Sequence, residues 1–265
     1  MTIMTIAMRV TTALMALAAS APAWAHMPYV EPGLFDLGPR DKVSIEASFS
    51  EDAFRPDIAM KDAPFEITAP DGKVTRLGAP LFTADRTLVE AAVPADGVYR
   101  LSSGQRLGRM GKMFRSGTEW KMAGEDGAPP AGAETAAVQS TTLADAYVLR
   151  GKPTGLGALA PRGKALELHP LIDPTAYAAG APAQFEALFD GKPLAATNVT
   201  LWREAGLYDG RKQVAEVKTD AAGRFTVTAP DAGRYLLLVR HRAAAPSGAA
   251  APFYSYTVTL AFEAG

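Results

Sequence analysis

The chain contains no cysteine. That absence excludes disulfides, thiolate zinc sites, iron–sulfur clusters and cysteine nucleophiles. Histidine is scarce as well: three occur in 265 residues, so any imidazole chemistry rests on His26, His169 and His241. No sign of charge dominates, since 27 Lys and Arg stand against 28 Asp and Glu. A main partner made of nucleic acid or anionic membrane is therefore not expected, because phosphate binding wants a clustered positive excess. Long apolar runs are missing too. The most apolar stretch, residues 10–21, is shorter than the roughly 20 residues a spanning helix needs, so no membrane span is expected. Helical periodicity is equally absent. Residues 131–137 are alanine-rich but lack an apolar stripe, and 144–147 are too few.

What is present begins with a leader. Residues 1–25 carry one charge, Arg9, then the short apolar run, and end in Ala23-Trp24-Ala25. This Ala-x-Ala pattern suits signal peptidase and places the cut after Ala25. The expected product is exported, periplasmic or secreted, and starts at His26. A terminal histidine offers two nitrogen donors, its imidazole and its free α-amine. Their reference pKa values of about 6.5 and 7.7–8.0 allow both to be neutral ligands near neutral pH.

From Lys42 the pattern has period two. Val43, Ile45, Ala47 and Phe49 alternate with Lys42, Ser44, Glu46 and Ser48, as in a half-buried strand. Short apolar runs recur with turn chemistry between them, at Pro70-Asp71-Gly72, Ala95-Asp96-Gly97, Asp190-Gly191 and Ala222-Gly223. Many short strands with regular turns predict an all-β fold of two antiparallel β-sandwich (Ig/transthyretin-like) domains after the signal peptide. The expected division is 26–150, a Gly/Pro linker at 151–164, and 165–265. Within the first unit, 104–142 reads as a long loop, first basic and then rich in Gly, Ala and Pro. Loops of that length are functional or disordered.

The second half resembles extracellular transthyretin-like or carboxypeptidase-regulatory-like sandwiches. The resemblance is carried by Asp190-Gly191-Lys192-Pro193-Leu194, Val199, residues 219–225 and Gly233-Arg234-Tyr235. A narrower resemblance covers nearly the whole chain after the leader. It is carried by Ala25-His26 with Pro28 and Tyr29, by residues 166–174, and by the second-half module ending in His241. These resemble the periplasmic domain-of-unknown-function (4198) family, some members of which are described as accessory components of nickel uptake transporters (NikK-like). The resemblance implies roles for the histidine after the leader and the one ending the Gly-x-Tyr strand, here His26 and His241. His169 departs from that pattern, where an apolar residue is usual.

Imidazole suits nickel, copper and zinc. The candidate metal ligands are His26, His241 and His169, for Ni(II) or Cu(II). Pro28 excludes the amino-terminal copper/nickel motif, which needs a histidine and a removable amide proton at the third residue. The plain alternatives are a frayed terminus for His26, a strand-end residue at a sandwich rim for His241, and a Glu–His pair for His169 with Glu167 on the same strand face. Met110, Met113 and Met122 offer thioethers for Cu(I), but cations surround them and packing is the simpler role. No Gly-x-Ser-x-Gly or phosphate loop occurs, so an enzyme is not expected.

Three functions remain open at this point. The first is a periplasmic transition-metal-binding or accessory protein for nickel-type uptake, working with a membrane transporter or outer-membrane receptor. The second is a copper-dependent oxidoreductase built on an N-terminal histidine brace. The third is a structural or adhesive sandwich without metal.

Overall fold

Alternating residues become strands wherever the expected period-two segments lie. The computed structural model describes residues 26–204, 208 and 212–265, and the expected leader at 1–25 lies outside the described residues. The chain runs through β1 (Met27–Pro32), β2 (Lys42–Ser50), β3 (Ile58–Ala59), β4 (Glu66–Thr68), β5 (Val74–Arg76), β6 (Leu81–Phe82), β7 (Thr87–Ala92) and β8 (Gly97–Ser102). It continues as β9 (Arg106–Ser116), β10 (Glu119–Met122) and the long β11 (Thr135–Arg150). A 3-10 turn at Gly157–Leu159 precedes β12 (Leu166–Pro170), β13 (Pro182–Phe189), β14 (Lys192–Pro193), β15 (Asn198–Arg203) and β16 (Gln213–Lys218). The last three strands are β17 (Arg224–Thr228), β18 (Gly233–Ala244) and β19 (Phe253–Ala264). No α-helix occurs among the described residues.

The strands form three sheets. The first has the order β1-β2-β7-β6, with β3 on β2. The third has β12-β13-β14, with β17 on β13. Between them runs the order β16-β15-β18-β19-β11-β8-β4-β5, extended by β9 on β11 and β10 on β9. The expected all-β class of two packed sandwiches is therefore present, and the two share this central sheet. The join is a parallel pairing of β11 with β19, from Val138 beside Phe253 to Ala146 beside Ala261.

Alternation on the central strands supplies both cores. Trp202, Leu236, Leu238 and Ala261 pack with Tyr29, Ile45 and Val89 of the first sheet. Tyr235, Leu237, Val239 and Leu260 pack with Leu168 and Phe185 of the third. Each fully buried aliphatic or aromatic side chain contributes roughly 1.5–3 kcal/mol, so a strand that faces two cores is worth about twice one that faces solvent.

Residues 104–142 are not the long loop expected. They hold β9, β10 and the first half of β11, leaving turns around 117–118 and 123–134. The alternation is hidden because one face of β9 is exposed at Leu107 and Met110 and because the strand carries Gly108 and Gly111. Gly108 is needed there: a Cβ on it would sit 2.4 Å from Ser140 Oγ. The ladder register shifts beside it, between Gln139 and Thr141. Gln139 Nε2 donates to the Gly108 carbonyl at 2.5 Å and Ser140 Oγ to that of Arg109 at 3.1 Å.

The stretch 151–164 is bound along the N-terminal half. Gly157 N donates to the Pro70 carbonyl at 3.0 Å, and a Cβ on Gly157 would sit 2.4 Å from Gly72 N.

Candidate functional site

His26 is half-buried and leads directly into β1, whose six residues are all buried. Met27, Tyr29 and Val30 enter the core between the first and central sheets. Pro28 and Pro32 are tolerated because β1 is the edge strand of its sheet, where a missing N–H breaks no ladder. The strand is fastened at three points. Thr259 Oγ1 donates to the Pro28 carbonyl at 2.6 Å. Tyr29 OH donates to Glu46 Oε1 at 2.6 Å, and Arg86 holds the other oxygen of Glu46 at 2.9 Å. Glu31 pairs with Arg234. Burial pushes the Glu31 carboxyl up to about 7 despite the attraction of Arg234.

His241 lies near the end of β18, opposite Tyr256 of β19. It shares the face of Tyr235, Leu237 and Val239, which points to the third sheet. Its ring meets that of Phe189 edge-on, with centroids 4.7 Å apart. Burial alone lowers its pKa, favouring the neutral imidazole. His169 stands on β12, where Leu166 and Leu168 point into the core. It takes the opposite, outer face, and its Nδ1 lies 2.8 Å from Glu186 Oε1.

The structure does not bring these three histidines together. β1 descends from Arg234 at Glu31 to Thr259 at Pro28, so its start heads toward the end of the central sheet where His241 sits. The two occupy opposite sides of that sheet, because β1 packs on one face and residue parity turns His241 to the other. His169 lies beyond the third sheet. Among the described residues, no group of three or more His, Asp or Glu is placed to share an ion. The methionines do not converge either. Met113 and Met122 pair across β9 and β10, while Met110 takes the register of Gln139 on the opposite face.

A buried polar cluster not apparent in the sequence fixes the junction of the halves. Arg162 forks onto Asp145 at 2.7 and 2.9 Å and reaches Ser102 Oγ at 2.9 Å. The backbone N–H groups of Arg162 and Gly163 donate to the two oxygens of Glu167 at 2.7 and 2.8 Å. Burial pushes the Asp145 carboxyl up, but the Arg162 guanidinium outweighs it and holds the group below its ordinary value. The only signal in the sequence was an aspartate inside the apolar run of β11. Its partner lay in what read as a linker.

Fold and site together define an all-β protein of two sandwiches sharing one sheet, with its first described residues locked into an edge strand. The model for the Domain of unknown function (DUF4198) family matches residues 23–243, and the chain belongs to that family. A search of curated proteins finds no match. Among solved structures the chain is similar to the adhesin InvE of Yersinia pseudotuberculosis, with 13% identity, TM-score 0.21, and coverage of 89% of this chain and 58% of that one. It is also similar to the D0-D1 domain of intimin, with 15% identity, TM-score 0.22, and coverage of 88% and 96%. A third is a DUF4785 family protein of Legionella pneumophila, with 11% identity, TM-score 0.26, and coverage of 80% and 50%.

Proposed function

We propose that the chain is an exported accessory protein that carries a transition metal ion, of nickel type, on a mature N-terminal His26. The observation supporting this reading is the burial of all six residues of β1 immediately after His26. A terminus freed after Ala25 would stand one residue from a fixed strand, so its amine and imidazole would be presented with little ordering left to do. Such a chelate supplies two nitrogens. The remaining coordination positions would be filled by water or by the membrane transporter or receptor that takes the ion, which suits a relay better than a store.

The experiment is metal retention by protein secreted with its leader, its N-terminus verified by mass spectrometry. His26→Ala is expected to abolish retention of Ni(II) after dialysis, while His241→Phe and His169→Gln leave it intact. Retention is also expected to fall as pH is lowered from about 7.5 to about 5, because both nitrogens must be unprotonated to bind. Oxygen-dependent turnover with copper would replace this reading by the oxidoreductase. Absence of any retained metal in correctly cut protein would replace it by the metal-free sandwich.

A further inference from the structure

We propose that the uncovered part of the central sheet, on the side of the third sheet, is a docking surface for an extended protein segment that carries acidic and apolar residues together on one face. The register lays it out. Leu107 stands beside Thr141, Met110 beside Gln139, Lys112 beside Ala137, and the buried Phe114 beside Thr135, with Lys121 across from Phe114. These are all odd positions of β11, so their side chains share one face. The same face continues onto β19 through Tyr254 and Tyr256, opposite Gln139 and Thr141. Farther along the sheet this face is covered: Leu143, Tyr147 and Val258 belong to the core against the third sheet. Beyond Thr141 the cover ends. Leu107 is 55% exposed and Met110 51%, and Ala137 is exposed.

Where the cover ends, the step forms a recess of about 210 Å³. Gln105, Thr141, Lys164 and Tyr256 are among its lining residues. Glu66 also lines it and is held by Arg162 at 3.7 Å. The open face thus runs into a pocket edged by the Lys164 cation.

Charge on this surface is sorted. The acidic residues of the 123–134 turn are drawn away: Glu125 and Asp126 lie on Arg242, at 3.6 and 3.2 Å, and Glu134 on Arg115 at 3.6 Å. Lys112, Lys121 and Lys164 carry no ion pair among the described residues. Cations left unpaired beside exposed Leu107 and Met110 match a ligand that offers both carboxylates and aliphatic side chains. An extended polypeptide turns every second side chain to the same surface, so acidic and apolar residues two apart can meet the lysines and the aliphatic groups together. An acidic polysaccharide offers the carboxylates but no aliphatic side chains to cover Leu107 and Met110, which are 55% and 51% exposed.

The test uses the full secreted chain and fluorescence anisotropy with a labelled peptide of about ten residues in which Glu and Leu take turns at every second position and Ser fills the positions between. The intact protein is expected to bind it, and Lys112→Glu with Lys121→Glu to weaken binding by at least about ten-fold, while Lys112→Arg with Lys121→Arg preserves it. Leu107→Ser with Met110→Ser is expected to weaken binding several-fold at about 0.5 M salt, where the charge contribution is screened. All these side chains except Lys121 are exposed, and unchanged thermal midpoints confirm folding. No binding by the intact protein overturns the proposal. Equal or tighter binding of oligogalacturonate, or indifference to the Leu107 and Met110 substitutions, overturns it in favour of a carbohydrate or of charge alone.

Discussion

At the scale of single residues, Glu31 carries a measurable consequence. Its folded-state pKa, raised from 4.5 to about 7, means the folded chain binds this proton more tightly than the unfolded chain. Stability attached to the group is therefore present below 4.5 and is lost as pH rises toward 7. Glu31→Gln is expected to flatten that loss, seen as a smaller drop in urea midpoint between the two pH values than in the parent. His241 acts in the other sense. Burial lowers its pKa, so stability is lost as pH falls below the ordinary imidazole value of about 6.5. His241→Phe, which keeps a ring against Phe189, is expected to remove the acid-side loss without shifting the midpoint at neutral pH by more than about 1.5 kcal/mol in equivalent stability.

At the scale of elements, what shows in a sequence depends on whether a strand has one wet face. β7 and β17 alternate buried and exposed along their whole length, and both were legible. β1 is buried at every position and holds two prolines, so no period marks it. β9 hides for the opposite reason, since much of its length is exposed and its pairing is decided by a partner some thirty residues away. The side on which His241 falls was readable from Tyr235, Leu237 and Val239. That β1 would lie on the other side was not, because layer order is a long-range property. The segment at 151–164 shows how far composition misleads: its Gly and Pro look flexible, yet Arg162 seals the half-junction. Arg162→Ala strips the buried Asp145 of its forked partner, and is expected to cost about 3–5 kcal/mol. Replacing both, as Arg162→Met with Asp145→Leu, should recover much of it, measured by equilibrium denaturation.

At the scale of the whole molecule, the shared sheet forbids independent halves. Cutting after β11 would strip it of β19, and would bare Ala144 and Ala146 along a ladder edge. Removing the first sheet would expose Trp202, Leu236 and Leu238. A single calorimetric transition is expected, with van't Hoff and calorimetric enthalpies equal, and two resolved transitions would contradict the continuous sheet.

The parallel contact of β11 with β19 also sets an order of events. The strand that completes the first half, β19, is made only after β12 to β18 have followed β11. An emerging polypeptide therefore cannot settle piece by piece from its front end; the middle of the molecule must wait, unpaired along one side, until β19 leaves the ribosome. Closing so large a loop is slow and leaves sticky edges open meanwhile. A chain wired this way is expected to refold slowly and to stay loose until its most distant strand arrives.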